Sequence, residues 1–132
     1  MDSPKYKIFI VDDDKFLLSM YAMKFAKSGL EVMTATGSDE ALAKFKEGAK
    51  PDILILDVIM PGMDGLELLT LLRKDKTLPP ETTVVVLTNQ GETSDIEKAK
   101  NLGVQGYIVK ATAIPSEVVE EVMKIFKNNK KS

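Results

Sequence analysis

Short, unbroken apolar runs alternate along the chain with longer stretches in which apolar positions recur every three or four residues. Ile8-Phe9-Ile10-Val11 is β-branched and aromatic and stops at an acidic cluster, the pattern of a strand buried on both faces. Phe16, Leu17, Met20, Tyr21, Met23 and Phe25 recur at helical spacing and are expected to form the buried stripe of a first helix, with Gly29 as its stop. Residues 31–36 alternate like a strand. Ser38 then reads as an N-cap, with Asp39 and Glu40 in the first turn where the helix dipole favours acids. Ala41, Leu42 and Phe45 give that second helix its apolar stripe, and Gly48 ends it.

The same alternation continues from Pro51. Ile53-Leu54-Ile55-Leu56 is a fully apolar strand ending at Asp57, and Asp64 with Glu67 is a capping-box pattern ahead of Leu66, Leu68, Leu69, Leu71 and Leu72. Pro79-Pro80 breaks the chain before Val84-Val85-Val86-Leu87, which runs to Thr88. Ser94 with Glu97 makes a second capping-box pattern, and Gly103 ends that helix. Tyr107-Ile108-Val109 is a fifth strand, ending at Lys110. Pro115 suits the first turn of a last helix with the stripe Val118, Val119, Val122, Ile125 and Phe126. Five βα units with apolar, non-alternating strands predict an α/β fold: a doubly wound, five-stranded parallel sheet in the order 2-1-3-4-5 with helices on both faces. A truncated Rossmann half is the rival, and the first loop lacks the G-x-G-x-x-G that would support it.

Length and composition narrow the chemistry. The 132 residues suit one domain, expected over 1–132 with a core at about residues 7–127. Cysteine and histidine are both absent, which removes disulfides, thiol catalysis, imidazole bases and any phosphohistidine on this chain. The net charge is −2 with no basic patch in the body of the chain, so direct nucleic-acid binding is not expected. Lys124, Lys127, Lys130 and Lys131 fit a helix C-terminus. No apolar run approaches the roughly 18 residues of a membrane span, and no targeting segment shows at Met1-Asp2-Ser3-Pro4, so a cytoplasmic location is expected.

In such sheets ligands bind beyond the carboxyl ends of the strands, where the strand order reverses. Asp12, Asp13 and Asp14 end the first strand, Asp57 the third, Thr88 the fourth and Lys110 the fifth. Singly, each has a plain structural explanation: Asp14 as an N-cap, Asp57 as a turn former, Thr88 as a strand residue, Lys110 as a solvated cation. Jointly they fall at one edge of one sheet. Clustered carboxylates repel, so at least one must bind its proton more tightly or share a counter-ion. Oxygen ligands of this kind suit Mg²⁺, which bridges readily to phosphate. A carboxylate nucleophile, a hydroxyl and a lysine beside it are the parts of a phosphoryl-transfer site.

At these residues the chain resembles the receiver domains of two-component response regulators. The resemblance rests on I-V-D-D-D in the first strand, L-I-L-D-V-I-M-P-G-M-D-G around Asp57, V-V-V-L-T in the fourth strand and G-Y-I-V-K in the fifth. It implies that Asp57 accepts a phosphoryl group and that Asp12, Asp13 and Asp57, with the Ile59 carbonyl, hold Mg²⁺. Thr88 and Lys110 would contact the phosphoryl oxygens, and Tyr107 would be the aromatic switch coupled to Thr88. The donor would be a phosphohistidine on a sensor histidine kinase or histidine phosphotransfer protein. Helix 1 near residues 16–24 would select that partner, and a homodimer on phosphorylation is compatible with the pattern. The chain would act as a signalling acceptor that assists its own phosphorylation and dephosphorylation, not as an enzyme.

Two positions depart from the family. Asn89 follows the switch Thr where a small residue is usual, and Ala111 follows Lys110 where proline, often cis, is usual; a cis bond there without proline would cost ~3–4 kcal/mol, so trans is expected. Ile59 and Gln90 are expected to tune phosphoryl lifetime. Two rival readings stay open. One is a haloacid-dehalogenase-like phosphatase, with Asp12 as nucleophile and Asp14 as acid/base. The other is a receiver-like interaction module that no longer accepts phosphate.

Overall fold

The computed structural model describes residues 5–88, 93–110 and 114–131. Five strands, β1 (Lys7–Val11), β2 (Glu31–Ala35), β3 (Ile53–Asp57), β4 (Thr83–Thr88) and β5 (Gly106–Val109), alternate with five helices, α1 (Lys15–Lys27), α2 (Ser38–Lys46), α3 (Gly65–Asp75), α4 (Thr93–Asn101) and α5 (Pro115–Lys131). The sheet is wholly parallel in the order β2-β1-β3-β4-β5, as the apolar runs predict. β3 sits at the centre, pairing with β1 from Ile53 to Leu56 and with β4 from Ile53 to Asp57.

Strand side chains alternate between two apolar layers, because successive residues point to opposite faces. Ile8, Ile10, Ile53, Ile55, Val85, Leu87 and Ile108 pack with Leu18, Tyr21 and Phe25 of α1 and with Val118, Val122 and Phe126 of α5. On the other face Phe9, Val11, Leu54, Leu56 and Val84 pack with Ala41 and Phe45 of α2 and Leu68, Leu69 and Leu72 of α3. Ala99 of α4 closes over Val58, Leu66 and Val86. Among the described residues no helix is long and apolar enough to cross a membrane.

The helix ends follow their local chemistry with two corrections. Asp14 caps α1, accepting from the Phe16 and Leu17 amides at 3.1 Å. Asp64 and Glu67 form the reciprocal capping box of α3. Ser38, however, is the first residue of α2 and not its cap. Gly37 holds the cap position without a side-chain bond, and the Ser38 hydroxyl donates instead to the Met63 carbonyl at 2.7 Å, tying α2 to the β3–α3 loop. The α1 stripe matches expectation at Tyr21 and Phe25 but not at Phe16 and Met23, and it includes Leu18. Leu18, Tyr21 and Phe25 are buried, while Phe16 and Met23 are 74% and 58% exposed. α3 ends before Pro79-Pro80, through Lys76 at φ 58 in the left-handed region. α4 begins at Thr93, so Ser94 falls inside its first turn rather than ahead of it.

Candidate functional site

The carboxyl ends of β1, β3, β4 and β5 bring Asp12, Asp57, Thr88 and Lys110 together, all four buried, with Asp13 exposed beside them. Asp12 is held from two directions. Its Oδ1 accepts the Asp14 amide at 3.0 Å, and its Oδ2 accepts from Lys110 Nζ at 2.6 Å. Lys110 Nζ also reaches Asp57 Oδ2 at 3.3 Å, so one ammonium bridges the two buried carboxylates. One carboxylate oxygen from each of Asp12, Asp13 and Asp57 lies within 4.8 Å of the other two. That spacing and the all-oxygen donor set fit a hard dication such as Mg²⁺.

Electrostatics match the geometry. Burial pushes the Asp57 carboxyl up from its ordinary 3.8 to about 7; the Lys110 charge opposes the rise and Asp12 adds to it. Burial alone would pull Lys110 down, but its hydrogen bond to Asp12 and the charges of Asp57 and Asp12 outweigh that and hold the ammonium above its ordinary value. Two buried carboxylates share the Lys110 ammonium, with the Asp13 carboxylate close by. Such a site gains from further positive charge near Asp57.

Thr88 carries the other unbalanced group. Its Oγ1 is the buried side-chain polar atom without a hydrogen-bond partner among the described residues. A buried hydroxyl left unpaired costs roughly 1–3 kcal/mol, so the site has a donor in want of an acceptor, as a phosphoryl oxygen would be. Tyr107 pairs with Val86 across β4–β5, and its half-buried ring packs against the Val58, Leu66, Val86 and Ala99 cluster under α4. Ile59 lies two residues beyond Asp57 with its side chain 62% exposed. Asn89, Gln90 and Ala111 lie outside the described residues.

Two supports of the site were not read from the sequence. One is the Asp14 amide that orients Asp12, a backbone donor with no side-chain signature. The other is Gly65, whose backbone amide donates to the Val58 carbonyl at 2.8 Å and holds the start of α3 against the end of β3. Asp14 Oδ1 caps α1, a structural role for the residue that the phosphatase reading takes as acid/base.

Residues 8–122 match the response regulator receiver domain family, and the chain belongs to that family. The transcriptional regulatory protein PhoP for alkaline phosphatase synthesis of Bacillus subtilis is 34% identical over 123 residues, covering 93% of this chain and 49% of PhoP. The DNA-binding response regulator MtrA of Mycolicibacterium smegmatis is 30% identical over 129 residues, 98% of this chain and 54% of MtrA. The chain thus spans about half the length of these curated relatives. Among solved structures, the chemotaxis protein CheY4 of Vibrio cholerae superposes with a TM-score of 0.83 at 29% identity, over 92% of this chain and 99% of that one. A CheY-like receiver domain protein of Methanospirillum hungatei superposes with a TM-score of 0.86 at 26% identity, over 97% of this chain and 98% of its own.

Proposed function

We propose that this receiver accepts a phosphoryl group on Asp57 and answers by changing a protein-interaction surface. The observation that carries the proposal is the buried Asp12–Lys110–Asp57 bridge, with a buried Thr88 hydroxyl at the end of β4 that has no partner among the described residues. A carboxylate oxygen of Asp57 attacks phosphorus in line. The new P–O bond forms as the bond to the donor breaks, giving an acyl phosphate and releasing the donor group with its electron pair. With a phosphohistidine donor the leaving imidazole nitrogen takes that pair. The chain has no histidine and cannot supply the donor, so a sensor histidine kinase or histidine phosphotransfer protein would.

Asp12, Asp13, Asp57 and the Ile59 carbonyl would hold Mg²⁺. Bound there, the ion would supply charge that offsets repulsion between the carboxylates and the incoming phosphoryl oxygens. Lys110 would turn from the two carboxylates to one phosphoryl oxygen, and Thr88 would donate to another. Drawing Thr88 toward the site would let the Tyr107 ring turn inward and shift the equilibrium of the α4–β5–α5 face, where a partner or a second copy docks. Phe16, at the start of α1, is an exposed apolar anchor for the phosphodonor protein. We read residues 1–132 as one receiver unit working in the cytoplasm as a signalling acceptor. At net charge −2, this unit is not assigned to nucleic acid.

Incubation with acetyl phosphate and Mg²⁺ followed by intact-mass spectrometry tests this. One added phosphoryl group in the wild type and none in Asp57→Asn is the expected result. No adduct in the wild type, with no Mg²⁺ binding, would instead mark an interaction module.

A further inference from the structure

Gly65 stands at the first position of α3, directly after the Asp64 cap, and is buried. Its φ is not in the left-handed region, so backbone freedom does not explain a glycine here. Space does. A Cβ on residue 65 would overlap the Asp57 carbonyl oxygen and would lie 3.0 Å from the Asp57 carbonyl carbon and 3.3 Å from Val58 Cα. All three are backbone atoms, so no side-chain rotation relieves the overlap. A real Cβ needs a displacement on the order of 1 Å.

The end of β3 is where that displacement lands. β3 pairs with β1 only as far as Leu56, so the Asp57 backbone is paired with β4 and not with β1. Beyond Asp57, Val58 is fixed by the Gly65 amide itself. The start of α3 is better anchored, by the Asp64–Glu67 capping box and by Leu66, Leu68 and Leu69 in the core. We infer that Gly65 is a positioning residue for the phosphoacceptor: the contact that only glycine permits sets where the backbone of Asp57, Val58 and Ile59 lies, and with it the carboxylate and carbonyl assigned to Mg²⁺. This rests on the proposed function for its consequence and on the close approach alone for its geometry.

The test is Gly65→Ala against wild type, with Gly37→Ala as a control, since a Cβ at Gly37 meets nothing within 4 Å. Mg²⁺ affinity is measured by calorimetry, phosphorylation by acetyl phosphate as a kcat and KM split, and stability by urea unfolding with metal absent. Supporting groups of this kind cost roughly 10–100-fold in metal affinity when altered, and a misplacement of about 1 Å costs on the order of 10²-fold in rate. We expect losses of that size in Mg²⁺ affinity and kcat for folded Gly65→Ala, moved amide resonances at Val58 and Ile59, and none of these in Gly37→Ala. Mg²⁺ affinity and kcat within two-fold of wild type, in folded Gly65→Ala, would overturn the inference even if stability drops. Glu67→Ala loosens the first turn of α3 and is expected to restore part of the loss in the double variant; no recovery counts against the assignment. If Gly65→Ala folds only with the Glu67→Ala change or a stabilising osmolyte, the same comparison is made there. Should the wild type neither bind Mg²⁺ nor be phosphorylated, the proposed function falls, and the Val58 and Ile59 resonances alone decide the positioning role: moved supports it, unmoved ends it.

Discussion

Replacing Asp57 with asparagine is expected to make the metal-free protein more stable, although it removes the proposed acceptor. Asp57 is 5% exposed and its carboxyl is pushed from 3.8 to about 7, chiefly by burial. Between those two values the folded state holds a proton that the unfolded chain has lost. Stability therefore falls as pH rises through that window, and above about pH 7 the deficit is constant. At about 1.4 kcal/mol per pH unit the full deficit is ~4 kcal/mol at pH 8 and about 2 kcal/mol at pH 5. An asparagine side chain in its place has no charge to bury and can still accept from Lys110. Urea unfolding followed by circular dichroism, with chelator present, should place Asp57→Asn above wild type by at most ~4 kcal/mol at pH 8 and by about half that at pH 5. Added Mg²⁺ should narrow the gap, because binding to the folded wild type stabilises it by mass action. Equal or lower stability for Asp57→Asn at pH 8 would refute the reasoning, and would mean that Lys110 compensates the buried carboxylate in full.

Three further expectations use the same structure. Lys110→Met removes the one cation shared by Asp12 and Asp57, so it should destabilise the metal-free protein by roughly 3–5 kcal/mol at pH 8 and by less at pH 5, measured by the same unfolding series. Leu68→Ala, at a fully buried site between α3 and the sheet, should cost about 2–5 kcal/mol in urea unfolding without changing Mg²⁺ affinity of the folded protein. Phe16→Ala should leave stability within about 0.5 kcal/mol and the acetyl phosphate rate unchanged, while slowing transfer from a phosphohistidine protein; equal transfer rates would remove Phe16 from the docking surface.

The fold was legible because β1, β3 and β4 are unbroken apolar runs, and only a sheet covered on both faces wants such strands. Their ends, with that of β5, then pointed to Asp12, Asp57, Thr88 and Lys110, since a parallel sheet gathers its carboxyl ends along one edge. The α1 stripe was legible only in part because apolar residues lie nearly all round the helix. Periodicity picked out Tyr21 and Phe25, which are buried, but drew in Phe16 and Met23, which are exposed, and passed over Leu18. Ser38 misled for another reason: its hydroxyl finds a carbonyl 25 residues away, a contact no local pattern encodes. Lys110 lies 98 residues from Asp12, and only the folded β5–β1 arrangement shows its ammonium between two carboxylates. Gly65 was visible as part of a motif, but its reason, the nearness of the Asp57 carbonyl, is a tertiary distance.

The most direct test of the central claim is chemical mapping of the acceptor. The protein is phosphorylated with acetyl phosphate and Mg²⁺, reduced with borohydride, which converts an aspartyl phosphate to homoserine, and digested for peptide mass spectrometry. The account predicts homoserine at position 57 and at no other aspartate. Homoserine at position 12 or 13, with Asp57 intact, would contradict it.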